Sequence, residues 1–166
     1  MKFNLESYFK FAIFFSVLYL GGCLNAKIKP IRGLNTSLAA ISSSYREPSL
    51  GNEWLVSLVN IQGKDKIEMI HIKSRRKIPL PGINRADSQP ISVSVSANGE
   101  RLAFIRQRAD KTELLIYRRR PGTLQRVELS PKGIPRRVSL DGSGKILAVQ
   151  VSRDGRWDIQ VIRLKG

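Results

Sequence analysis

Cysteine and histidine are nearly missing from these 166 residues: there is one of each, Cys23 and His71. A lone cysteine excludes an intrachain disulfide, and with a lone histidine beside it no zinc cage of Cys and His ligands can form. Acidic residues are scarce, 13 against 29 lysines and arginines, so the formal charge is +16. Either an anionic partner or simple avoidance of self-association would account for that imbalance. Only one apolar run is long, residues 11–20 (FAIFFSVLYL). It is about half the roughly 20 residues a helix needs to cross a bilayer, which argues against a permanent transmembrane span. The remaining composition, 42% apolar and 25% charged, is globular and sized for about one domain, with no room for an added cofactor domain.

Residues 1–22 read as a targeting segment outside the fold: Lys2 and Lys10 flank its start, and the small Gly21 and Gly22 stand before Cys23. Leu20-Gly21-Gly22-Cys23 resembles a bacterial lipobox, in which cleavage precedes a cysteine that carries a diacylglycerol and an N-acyl chain. The resemblance implies lipidation of Cys23, a stable membrane anchor, and a place in the cell envelope facing the periplasm. Residues 23–33 then form a tether. Removal of residues 1–22 leaves about +15, so the basicity belongs to the exported body.

The body repeats itself. Residues 90–118 moved forward by 45 positions place Pro90 on Pro135, Val93 on Val138, Ser94 on Ser139, Gly99 on Gly144, Leu102 on Leu147, Ala103 on Ala148, Arg108 on Arg153 and Arg118 on Arg163, eight identities in 29 positions without a gap. A weaker copy at an offset of 47 matches Leu55 to Leu102 and Ile67 to Leu114. Within each copy the apolar period is two, as in Ile91, Val93 and Val95, and no stretch of the body sustains a helical period. Strands are expected at about 37–43, 53–60, 67–73, 76–80, 91–95, 101–107, 113–119, 124–129, 136–140, 146–152 and 158–164, joined by turns such as Asn98-Gly99 and Asp154-Gly155 where positive φ is cheap.

A 45-residue unit of four short strands has the arithmetic of a propeller blade. The segments 93–104 (VSVSANGERLAF) and 138–149 (VSLDGSGKILAV) resemble the TolB-type propeller repeat, whose core runs strand, S-x-D-G, apolar strand, and residues 154–161 (DGRWDIQV) resemble its second turn and third strand. The resemblance covers most of residues 34–166 and, among small exported lipoproteins, is nearest to the TolB-like proteins of cyanobacteria. It implies an all-β, incomplete propeller of about three antiparallel four-stranded blades (about 34–82, 89–130 and 134–166) that binds envelope partners without catalysis. Two departures stand out: the extra α/β domain of TolB is missing, and there are three repeats where that propeller has six.

No candidate chemistry assembles. His71 stands alone in a strand, Asp141-Gly142-Ser143-Gly144 lacks the alternating acidic ligands of a calcium loop, and Ser42-Ser43-Ser44 has no partner base. Gly21-Gly22 belongs to the cleavage site and makes no phosphate loop. No enzyme activity, metal or cofactor is therefore expected. The basic clusters are the candidate contact residues: Arg75 and Arg76, Arg106 and Arg108, Arg118 and Arg119, Arg136 and Arg137, and Arg153. Several recur at equivalent repeat positions and could line one rim, contacting an envelope protein or an anionic envelope polymer; the alternative is a solvated face that discourages edge pairing. Nucleic acid would satisfy the same electrostatics, but export removes it as a target. Trp54 and Trp157 are expected to pack between blades. Three blades leave open edges, which raises self-association into a homodimer of half-propellers, with residues 27–32 (KIKPIR) as a source of the missing outer strand.

Overall fold

The computed structural model describes residues 29–165; the expected signal segment and Cys23 lie outside the described residues. The chain divides into two units, Met1–Arg32 and Gly33–Gly166, and the second carries the sheets. Among the described residues one short helix, α1 (Arg32–Ala39), precedes eleven strands. Blade 1 consists of β1 (Ser44–Leu50), β2 (Trp54–Ile61), β3 (Lys64–His71) and β4 (Lys77–Ile78). Blade 2 consists of β5 (Gln89–Val95), β6 (Arg101–Arg108), β7 (Lys111–Arg118) and β8 (Thr123–Val127), and blade 3 of β9 (Ile134–Leu140), β10 (Ile146–Arg153) and β11 (Arg156–Arg163). Every sheet is an antiparallel meander in chain order, so sequence neighbours are also spatial neighbours. Blade 3 has three strands where the other two have four.

Ten of the expected strands form within a few residues of their expected places. The first does not: residues 37–43, read as a strand, hold the end of α1 and a turn, and β1 starts at Ser44. Leu34 and Leu38 sit one helical turn apart, with Leu34 buried, so the apolar spacing fits one face of a helix there. Likewise, residues 29–31 are irregular and Arg32 opens α1, so among the described residues KIKPIR supplies no strand.

Blade 2 is the centre of the arc. Its β6 alternates Leu102 and Phe104 on one face with Ala103 and Ile105 on the other, and cross-strand pairing to β7 puts Tyr117 and Leu115 beside the first pair and Ile116 and Leu114 beside the second. The first face packs on Val56, Leu58, Ile67 and Met69 of blade 1, the second on Leu140, Leu147, Val149 and Val151 of blade 3. A sheet buried on both faces needs the continuous apolar runs that β6 and β7 carry. Each such buried aliphatic side chain contributes about 1.5–3 kcal/mol.

The repeated turns are held by one device in two chemistries. In blade 2 the Arg101 N–H donates to Ser96 Oγ and the Glu100 N–H to Asn98 Oδ1. In blade 3 Asp141, at the Ser96 position, accepts from the N–H groups of Ser143, Lys145 and Ile146 and from the Ser143 hydroxyl. The Ile146 amide above all, then the Ser143 hydroxyl, holds the Asp141 carboxyl at about 2. Because that value is depressed, the cap is fully in place above the ordinary carboxylate pKa and is lost only as pH falls towards 2.

Candidate functional site

The first strands of the three sheets line the inside of the arc, and equivalent residues meet there. Ser49 and Ser94, 45 positions apart, approach to 3.4 Å. The Val95 N–H donates to Ser49 Oγ (3.1 Å) and the Leu140 N–H to Ser94 Oγ (2.9 Å), so each blade's serine accepts from the backbone of the next. A second ladder runs through the turns: the Asn52 N–H donates to the Ala97 carbonyl and the Ala97 N–H to the Gly142 carbonyl. Glu47, Ser92 and Arg137 form a third equivalent set. The Ser92 hydroxyl donates to Glu47 (3.0 Å), and Arg137 reaches the same carboxylate at 3.4 Å. Each inner strand is bulged at this level, and Glu47 takes a φ of +52°, a bulge geometry that aims its side chain inward. Glu47 and Arg137, with Ser49, Ser94 and Ser139, line a pit of about 320 Å³.

The arginines do not collect on one rim. Arg75 and Arg76 lie in the β3–β4 turn and Arg118 and Arg119 at the β7–β8 turn, one end of the meander; Arg106, Arg108 and Arg153 lie towards the β6–β7 and β10–β11 turns at the other. Most are structural staples. Arg106 is buried against Glu113 (2.8 Å), and Arg108 pairs with Asp87 (2.9 Å). Arg119 stacks over Trp54, 4.7 Å from the ring centre, and pairs with Glu100 (2.6 Å). Arg153 donates to the carbonyls of Pro131 and Lys132 and to Asp158 and Gln160. Arg76 and Arg136 are exposed, Arg118 is half-buried at the end of β7, and Arg75 occupies a positive-φ turn position. His71 bonds Ser74 through Nδ1 and meets Trp54 edge-on at 4.9 Å, a turn-closing role. Among the described residues no group of three His, Cys, Asp or Glu side chains could hold a metal, and no helix is long and apolar enough to cross a membrane.

Trp54 packs between blades as expected, its ring against the Gly99 turn. Trp157 does not: it is 58% exposed. With Ile159 and Val161 it lies on the face of blade 3 turned away from blade 2, across from Ser152, Gln150 and Ala148. The residues one repeat earlier, Leu114 and Ile116, are 2% and 3% exposed under blade 3, whereas Ile159 and Val161 are 67% and 66% exposed. The same repeat position is covered in one blade and bare in the next. The fold is an open arc of a β-propeller.

No protein-family model and no curated protein sequence matches the chain. In three dimensions the arc is similar to TolB from Acinetobacter baumannii, with a TM-score of 0.56 and 16% identity over 70% of this chain and 29% of that one. It is also similar to a TolB-type protein from Agrobacterium tumefaciens, with a TM-score of 0.58 and 12% identity over 75% and 46%. A third similar structure is the β-propeller domain of the Trilobed protease from Pyrococcus furiosus, whose ring has an open velcro topology (TM-score 0.53, 14% identity, 73% and 39% coverage). The chain thus spans between 29% and 46% of the length of these structures. At such identities the fold is what is shared.

Of the serine ladder and the Glu47, Ser92 and Arg137 set, only Arg137 stands among the sequence-derived candidates, and there as a surface contact residue. The 45-residue spacing would have found them, because Ser49, Ser94 and Ser139 continue the repeat upstream of the segment in which it is strong.

Proposed function

We propose that this chain is a lipid-anchored, non-catalytic binding or scaffolding module of the bacterial cell envelope, held at the membrane through Cys23 and facing the periplasm, with TolB-like propeller repeats as its binding body. The observation that carries the binding role is the bare face of blade 3, where Trp157, Ile159 and Val161 stand exposed at positions that the repeat elsewhere buries. A contiguous apolar sheet face of this kind is a protein-docking surface. The likeness to TolB structures supports the envelope setting, and the Leu20 to Cys23 spacing supports the anchor. In a second reading the chain is a structural subunit that self-associates into a complete propeller. Ser139 favours it, since it occupies the ladder position of Ser49 and Ser94 and is exposed, open to a donor from the first blade of a second copy.

Metabolic labelling with a radioactive fatty acid tests the anchor. The wild-type chain should take up label and sediment with membranes; Cys23→Ser should lose the label and leave the membrane fraction. An unlabelled wild-type chain rejects the anchored reading.

A further inference from the structure

A cavity of about 640 Å³ opens between blades 1 and 2 at the end of the arc opposite the Trp54 turn, within the size range of small-ligand sites. The β2–β3 turn with Lys64, Asp65 and Lys66, and the linker between the blades with Arg85, Asp87 and Gln89, form its walls. Its carboxylates are already saturated. Asp65 accepts from Arg46 (2.5 Å), Asn60 (2.9 Å) and Gln89 (3.1 Å). Asp87 takes both forks of Arg85 (2.9 and 3.2 Å) and Arg108 (2.9 Å). Glu113, near enough to Arg85 to act on its charge, lies behind the wall and pairs with Arg106. At the cleft itself three guanidiniums (Arg46, Arg85 and Arg108) and two lysines meet two carboxylates, and the surplus positive charge gives the polar-walled cleft a concentrated field.

Two further observations separate this cleft from an ordinary basic surface. Arg106, next in β6 to Gln107 of the cleft wall, is more than nine-tenths buried, and among the described residues its Nη1 has no hydrogen-bond partner, an unmet donor that an acceptor oxygen, arriving through water, would satisfy. The equivalent cleft between blades 2 and 3 is smaller, about 370 Å³. There Arg153, one repeat after Arg108, donates to the linker carbonyls of Pro131 and Lys132, and Val151 and Arg153 press against Gly133. In the first cleft Arg108 turns instead to the side chain of Asp87, the counterpart of Lys132.

We infer that the cleft between blades 1 and 2 is a binding site for a phosphate-bearing ligand. Guanidiniums in forked arrangements match phosphate oxygens, and phosphate brings the charge that offsets the surplus. The phosphate could belong to a lipid headgroup or to a free phosphate compound. The site uses residues remote from the blade 3 face, so its failure would leave the docking reading untouched.

Titration of the full-length chain in nonionic detergent with inorganic pyrophosphate at low salt tests the inference. One saturable site is expected, weakened about tenfold by Arg85→Gln and by Lys64→Gln with Lys66→Gln. Arg156→Gln, which removes one exposed charge from the β10–β11 turn, should bind like wild type. Unaltered melting curves for the variants separate lost binding from lost folding. Absence of saturable binding to wild type, or equal weakening by Arg156→Gln, overturns the site. Flotation of Cys23→Ser with phosphatidylglycerol vesicles then identifies the source: vesicle binding that pyrophosphate displaces and Arg85→Gln abolishes assigns a headgroup. Saturable titration without flotation assigns a free phosphate compound.

Discussion

Gly99 and Gly155 both hold positive φ, +69° and +75°, but their surroundings differ. A Cβ on Gly99 would lie 2.6 Å from the Trp54 indole, whereas one on Gly155 would meet nothing within 4 Å. Both alanine variants carry the conformational cost of roughly 1 kcal/mol; Gly99→Ala adds overpacking against a rigid ring over which Arg119 stacks, typically about 1–3 kcal/mol more. Thermal denaturation should therefore show Gly99→Ala clearly less stable than Gly155→Ala, and equal midpoints would refute the packing of Trp54 on that turn. The turns themselves were legible in the sequence, because Asn98-Gly99 and Asp154-Gly155 announce positive φ locally. The fate of the arginines was not. Whether a guanidinium faces solvent or a carboxylate depends on partners such as Glu113 for Arg106 or Glu100 for Arg119, which a sheet register brings opposite them.

Strands and their order were legible because alternation within each repeat reports which residues face a neighbouring sheet. The exception, β1, shows where the signal fails. Its pattern is half-exposed throughout, it contains Pro48 at a bulge, and its place is decided by the Ser49 contact with blade 2. The serine ladder makes a prediction at this scale. Ser94→Ala removes the acceptor of the buried Leu140 N–H, and an orphaned buried donor costs about 1–3 kcal/mol. Ser139→Ala, at the equivalent but exposed position, should stay within about 0.5 kcal/mol of wild type. Chemical denaturation of both variants decides; a Ser139→Ala loss as large as that of Ser94→Ala would mean that Ser139 is engaged by a partner under the conditions used.

At the scale of the molecule, the arc of described residues ends on an apolar face and on β11, which among them has a single neighbour. Should the chain complete its own ring, sedimentation velocity on the full-length protein in detergent will show association that rises with concentration, and Ile159→Lys will abolish it. The same substitution should leave the thermal midpoint unchanged, since a side chain 67% exposed contributes little to the isolated arc. A wild-type chain that stays monomeric at tens of micromolar rejects self-assembly and leaves a foreign partner for that face.

The sequence alone determined the all-β class, the repeat of 45 residues, the chain-order pairing of strands and the turn residues, because each depends on neighbours within one repeat. Only the tertiary structure decided which side of each blade is covered, that Ser92 and Arg137 meet on the Glu47 carboxylate, and that a cationic surplus stands at the cleft between blades 1 and 2. Those features come from residues about 45 or 90 positions apart being brought to hydrogen-bond distance. A pattern of residue types records each strand's own two faces, and the contact between blades exists only once the sheets have stacked.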